Sequence, residues 1–225
     1  MKRFIVAPSI LTANFLNLGK ELDNLKEAGL EWIHYDVMDY NFVPNLTFGP
    51  KILSDITSKY DFKIDIHLMV QVLNISVEEY LKPFINNKIK QLTFHFESLN
   101  KEQVVEFISF CKKNNIAASL AVNPDTSLSY LDEYLNDLDN ILVMSVFPGF
   151  GGQKFIEKTY EKIKALKNLK LEKKLNFRIQ VDGGVNEQTF KLVQEAGAEM
   201  IVAGSYLVGG LSVEKIKQRV WKLEN

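Results

Sequence analysis

The chain has one cysteine in 225 residues, Cys111, so it can form no internal disulfide and no thiolate metal cluster. Histidine is nearly as scarce, with His34, His67 and His95 the only three. No apolar run approaches the ~20 residues that a membrane-spanning helix needs. Residues 1–7 combine a basic start with an apolar stretch, but Pro8 and Ser9 cut it short and no small-residue cleavage site follows. They read as a first strand and not as a leader. The 27 basic and 28 acidic residues leave a formal charge of -1, so no field of one sign draws nucleic acid or an anionic membrane. No linker, low-complexity tract or charge block divides the chain. What remains is the composition of a globular protein of the cytoplasm, 46% hydrophobic and 24% charged, with Cys111 at a packing position.

Short apolar or β-branched runs recur at 4–7, 32–37, 63–68, 91–96, 117–122, 141–146, 178–181 and 200–203. Stretches of helical period lie between them. Leu18, Leu22 and Leu25 share a face between a cap at Asn14 and a stop near Gly29. Ile156, Tyr160, Ile163 and Leu166 form a second stripe, and Val213, Ile216 and Val220 a third after Ser212. Asn186 and Gly197 bracket a further helix as cap and stop. Eight alternating units predict an α/β protein, a (β/α)8 TIM barrel filling residues 1–225 as a single catalytic domain. A doubly wound open sheet is the alternative.

Residues two apart in a strand point to one face, so His34 and Asp36 stand side by side at the end of the second run. His67 ends the third run and Asp182 the seventh, on the rim where barrel active sites form. Two imidazoles and two carboxylates from three strands suit one divalent ion, Zn²⁺, Fe²⁺, Mn²⁺ or Co²⁺. Each taken alone reads more simply as a satisfied core histidine or a turn-forming aspartate, and it is their joint placement on one rim that favours the ion. Asp65 shares a face with His67 and reads as an acceptor behind a ligand or as a buried partner. His95 is read as structural or supporting, and Asp39 as a loop stabiliser. Three glycine-bearing loops follow the late runs: Ser145–Gln153, Asp182-Gly183-Gly184 and Ala203-Gly204-Ser205. Their N–H groups could cradle a phosphate, with a short extra helix opening at Tyr206-Leu207-Val208.

The order of these motifs is specific. Ala7-Pro8-Ser9-Ile10-Leu11, His34-Tyr35-Asp36-Val37-Met38-Asp39, Phe42-Val43-Pro44-Asn45 and His67-Leu68-Met69 are followed by Asn123-Pro124, Pro148-Gly149-Phe150-Gly151-Gly152-Gln153, Val181-Asp182-Gly183-Gly184-Val185 and Ala203-Gly204-Ser205. Along nearly its whole length the chain resembles the ribulose-phosphate 3-epimerase family. The resemblance implies a metal-dependent isomerase of the pentose phosphate pathway, interconverting D-ribulose 5-phosphate and D-xylulose 5-phosphate. It implies that His34, Asp36, His67 and Asp182 hold the metal and that Asp36 and Asp182 also exchange protons. It further implies substrate contacts from Ser9, His67, Gly149, Phe150, Gly151, Gly152, Gly183, Gly184, Gly204 and Ser205. Met38, Met69 and Met144 match methionines that line the reaction centre, or are soft core filler. A homo-oligomer with a small sugar phosphate as its partner is expected.

The chain departs from the family at Tyr40-Asn41, where glycine is usual, in the proline-free loop 70–74, and at 86–90, where a small-residue turn is usual. An allulose-6-phosphate 3-epimerase is the nearest alternative, and a non-catalytic sugar-phosphate-binding barrel the alternative of a different class. A related decarboxylase would carry Asp-x-Lys-x-x-Asp on the third strand, where this chain reads Asp65-Ile66-His67-Leu68-Met69.

Overall fold

The computed structural model describes residues 4–224, and the basic start at 1–3 lies outside the described residues. Eight strands form one parallel sheet: β1 (Ile5–Ala7), β2 (Trp32–Met38), β3 (Lys63–Met69), β4 (Ile89–His95), β5 (Ala117–Val122), β6 (Asn140–Met144), β7 (Arg178–Asp182) and β8 (Met200–Val202). Their order is β1-β8-β7-β6-β5-β4-β3-β2. The two end strands then meet through a parallel bridge between Ser9 and His34, with the His34 N–H donating to the Pro8 carbonyl at 2.9 Å. The sheet is therefore closed, as a barrel and not as an open doubly wound sheet.

The alternation within each strand explains the architecture. Ile33, Tyr35 and Val37 of β2, Ile64, Ile66 and Leu68 of β3, and Leu92 and Phe94 of β4 belong to the main core between sheet and helices. Their alternate partners, His34, Asp36, Asp65, His67, Gln91, Thr93 and His95, are buried but polar, and they fill the barrel interior. Gln180 of β7, Asn140 of β6 and Ser119 of β5 continue this polar filling. Apolar outer faces hold the helices, and the interior combines this hydrogen-bonded filling with a small apolar cluster of Ala121, Leu142, Met144 and Val146.

Among the described residues seven helices cover the outside: α1 (Leu18–Glu27), α2 (Pro50–Lys59), α3 (Val77–Leu81), α4 (Lys101–Asn114), α5 (Thr159–Glu172), α6 (Phe190–Ala196) and α7 (Val213–Glu224). After β5 the described chain makes only a 3-10 turn, Leu128–Leu131, where the repeating pattern predicts a helix. Leu22 and Leu25 are buried under α1 as expected, and so are Ile163 and Leu166 under α5 and Val213 and Ile216 under α7. Asn14, expected to cap α1, instead caps a 3-10 turn ahead of it by accepting the Leu16 N–H at 3.1 Å. Ile156 precedes α5. The helix expected to open at Tyr206 is a single turn, in which the Leu207 and Val208 N–H groups both donate to the Gly204 carbonyl. Gly209 and Gly210, at φ +114° and +74°, stop it. Cys111 is fully buried on α4, and burial pushes its thiol up. No helix among the described residues is long and apolar enough to cross a membrane.

Candidate active site

Parallel pairing sets Asp36 of β2 directly beside His67 of β3, and His34 lies one pleat below Asp36. Asp182 arrives from β7 across the barrel mouth. Four atoms converge: His34 Nε2, Asp36 Oδ1, His67 Nδ1 and Asp182 Oδ2. The two nitrogens are 3.2 Å apart, Asp36 Oδ1 lies 3.3 and 3.2 Å from them, and Asp182 Oδ2 lies 3.6 Å from each. Donors bonded at about 2.0–2.1 Å around a tetrahedral ion sit about 3.3 Å from one another. The residues therefore fit a divalent ion in spacing and in donor chemistry.

Each imidazole is held from behind. His34 Nδ1 lies 2.7 Å from Asp65 Oδ2, and Asp65 also accepts from Gln91 at 2.8 Å and Gln180 at 2.6 Å. His67 Nε2 lies 2.9 Å from His95 Nε2, and His95 Nδ1 lies 3.2 Å from Glu97 Oε2. Burial would depress the proton affinity of His34, but the carboxylates of Asp36 and Asp65 hold it well above the usual imidazole range. The same negative field favours any cation between the four donors. Burial alone would raise the Asp36 and Asp65 carboxyls, yet His34 beside them holds both below the ordinary range. Burial pushes His95 down to about 4, so it is a neutral ring at physiological pH.

Above the cluster lies a cleft lined by Ser9, Asp36, Asp182, the loop 147–153, Gly183, Gly184, Gly204 and Ser205. Every expected substrate-contacting residue lines it except His67, which is fully buried beneath the floor. Ser9 donates its hydroxyl to Asp36 Oδ2 at 2.6 Å, and Met38, Met69 and Met144 complete the wall. Glycine is required at Gly184: its φ is +61°, and a Cβ would stand 2.6 Å from the Phe155 backbone nitrogen. The backbone N–H groups of Gly152, Gly183, Gly184, Gly204 and Ser205 donate to no acceptor among the described residues. Unpaired amides on three loops that line one cleft suit an anionic group. The loops are tied down, since Asn45 Nδ2 donates to the Gly149 carbonyl at 2.7 Å and Gln153 Nε2 to the Phe147 carbonyl at 2.7 Å. Asp39 stabilises its loop as expected, accepting from the N–H groups of Asn41, Phe42 and Gln71.

Two groups escaped sequence reasoning. Glu97 stands two residues after His95, the same spacing that singled out His34 and Asp36, so the signal was present. Arg219 is the one cationic side chain lining the cleft among the described residues. It comes from α7, far in sequence from any motif, and nothing local marks it.

Comparison with known proteins bears on the chemistry. Residues 5–208 match the Ribulose-phosphate 3 epimerase family. The chain is 40% identical over 205 residues to the ribulose-phosphate 3-epimerase of Bacillus subtilis, covering 91% of this chain and 92% of that protein. With the Escherichia coli K12 ribulose-phosphate 3-epimerase it is 39% identical over 217 residues, covering 96% and 94%. Among solved structures, 3-keto-L-gulonate-6-phosphate decarboxylase from Vibrio cholerae superposes with a TM-score of 0.72 at 11% identity, covering 100% of this chain and 96% of that one. A tryptophan synthase α-subunit from Pyrococcus furiosus gives 0.71 at 16%, covering 100% and 99%. These last two likenesses concern the fold alone.

Proposed function

The chain belongs to the ribulose-phosphate 3-epimerase family, isomerases that epimerise pentose phosphates, and on that premise we propose that it inverts C3 between D-ribulose 5-phosphate and D-xylulose 5-phosphate with Asp36 and Asp182 as paired proton carriers. The observation that carries this reading is the convergence of two carboxylates, from β2 and β7, on one donor cluster beneath one cleft.

The C3 proton of a 2-ketose is acidic because the adjacent carbonyl delocalises the carbanion into an enediolate. Inversion needs a base on one face of C3 and an acid on the other. One carboxylate takes the proton and the other returns one to the opposite face, their order set by the direction of reaction. Asp36 is held ionised by His34 and by the Ser9 hydroxyl, which suits it to start as the base. His34, Asp36, His67 and Asp182 would hold one divalent ion, of the Zn²⁺, Fe²⁺, Mn²⁺ or Co²⁺ type. Such an ion supplies Lewis-acid neutralisation of the enediolate charge. The amides of Gly152, Gly183, Gly184, Gly204 and Ser205 bind the phosphate, and this remote binding energy fixes C3 between the two carboxylates. The same reading makes the enzyme a cytoplasmic homo-oligomer with no nucleic-acid or membrane partner, in keeping with its near-zero net charge.

Incubation in D₂O should place deuterium at C3 of either pentulose phosphate. Asp36→Asn and Asp182→Asn should each remain folded and lose turnover by several orders of magnitude. Wild-type turnover in both variants would defeat the two-carboxylate mechanism. Allulose 6-phosphate turned over faster than ribulose 5-phosphate would shift the substrate, and tight binding without C3 exchange would make the barrel a binding protein.

A further inference from the structure

His67 presents Nδ1 to the donor cluster and Nε2 to His95 Nε2, 2.9 Å away. The two rings lie at 25° to each other with centroids 5.0 Å apart. That separation is what an N···N contact plus two ring radii requires, so the rings meet edge to edge along a hydrogen bond and do not stack. One of the two nitrogens carries the proton and the other must not, and the pair alone is indifferent to which. At the near end Asp36 Oδ1, 3.2 Å from His67 Nδ1, holds a proton there when no cation is bound, and the opposing instruction comes from the far end. His95 Nδ1 faces Glu97 Oε2 at 3.2 Å, and a carboxylate accepts but cannot donate. Nδ1 of His95 therefore carries the proton, and the buried neutral ring offers its lone pair at Nε2. This favours His67 donating from Nε2, which leaves Nδ1 unprotonated toward the cluster.

Glu97 is fixed for this task. Its Oε1 accepts the Asn123 N–H at 2.8 Å and the Thr126 hydroxyl. That loop is clamped by Lys162 of α5, whose Nζ donates to the carbonyls of Asn123, Pro124 and Thr126 at 2.7, 2.9 and 2.6 Å. Burial would raise the Glu97 carboxyl, but the bonds from His95, Asn123 and Thr126 bring it down to about 2, so it is an anion at any physiological pH.

We infer that Glu97 is a positioning residue that selects, through His95, the one tautomer of His67 able to bind a metal ion at Nδ1. The inference rests on the metal-site reading above and assigns Glu97 no contact with substrate.

Glu97→Gln tests it because the change is isosteric and reverses the instruction. The Asn123 N–H demands an oxygen and the Thr126 hydroxyl can donate to the same one, so the new amide oxygen turns toward them and its NH₂ toward His95. His95 then accepts at Nδ1 and donates from Nε2, which drives the His67 proton onto Nδ1, where it blocks coordination. Glu97→Ala removes the instruction without reversing it. Zinc affinity measured by chelator competition should fall on the order of 10–100-fold in Glu97→Gln, and by less in Glu97→Ala. A purely structural role gives the opposite order, because truncation leaves a cavity that glutamine fills. Nitrogen NMR of the metal-free proteins at mildly alkaline pH supplies a second readout, with only three histidines to assign. The share of His67 protonated on Nε2 should be larger in the wild type than in Glu97→Gln, where the far-end instruction and Asp36 both favour Nδ1. Wild-type zinc affinity in Glu97→Gln, or the same His67 tautomer populations in the two metal-free proteins, overturns the inference. Failure of the wild type to bind zinc would instead defeat the metal reading, and the tautomer comparison would still decide the role of Glu97.

Discussion

His34 Nδ1 lies 2.7 Å from Asp65 Oδ2, and neither side chain reaches solvent. Three donors, from His34, Gln91 and Gln180, converge on the two oxygens of Asp65. Asp65→Asn leaves one oxygen for three donors and sets an NH₂ against one of them. The variant should bind zinc on the order of 10–100-fold more weakly and lose about 3 kcal/mol of stability from the broken buried pair. Chelator competition and urea unfolding measure the two effects separately. An unchanged zinc affinity would show that His34 is oriented by other means.

Arg219 should contribute to ground-state binding. Its guanidinium donates to the Tyr206 carbonyl at 2.6 Å and lies 5.0 Å over the Tyr206 ring, beside the unpaired amides of Gly204 and Ser205. Arg219→Gln should raise KM for the sugar phosphate roughly tenfold with little change in kcat, the size of one lost charge-assisted hydrogen bond. Arg219→Lys should recover part of the loss. Equal KM in all three proteins would place this side chain outside substrate contact.

Acid should erase the stabilisation that Glu97 provides. Its folded value of about 2 lies below the ordinary glutamate value of about 4.3. A depressed carboxyl contributes stability above its unfolded pKa and loses it as pH falls through the folded one. The stability gap between wild type and Glu97→Gln should be flat above about 4.3 and close between there and about 2. Urea titrations across that window give the sign directly, and a gap that widened in acid would contradict the assignment.

Tyr40 reverses the usual ranking of glycine and alanine. It stands at φ +62° with its side chain 70% exposed. Little packing is lost by removing the ring, whereas a Cβ in the left-handed region costs about 1–2 kcal/mol. Tyr40→Gly should therefore be more stable than Tyr40→Ala by about 1 kcal/mol. Thermal melts of the two variants decide it.

The strands were legible because each couples an apolar outward face to an interior one, and a period of two survives without any tertiary information. His34, Asp36, His67 and Asp182 were legible for the same reason, at strand ends on one rim. The interior partnerships were not. Asp65 meets Gln180 across 115 residues, and glutamines inside a strand carry no mark of what they face. Glu97 takes its meaning from Thr126, on a loop 29 residues away, so its spacing to His95 told only half of its role. The missing helix after β5 and the single turn at Tyr206 were misread because a repeating βα rhythm was extended over segments where local signals, such as Gly209-Gly210, opposed it.

The barrel is joined unevenly. Adjacent strands elsewhere are zipped by ladders, from Ile5–Ala7 against Met200–Val202 to Trp32–Met38 against Lys63–Met69, while β1 and β2 share the bridge at Ser9 and His34. Those two residues also reach into the site, one through the hydroxyl on Asp36 and the other as a donor of the cluster. Whatever occupies the cluster thus acts as a rivet on the weakest join of the molecule. Loosening there would act directly on the Ser9 hydroxyl's bond to Asp36. Deuterium uptake at the His34 amide, which donates across that join, would read barrel closure and the integrity of the donor cluster in one signal.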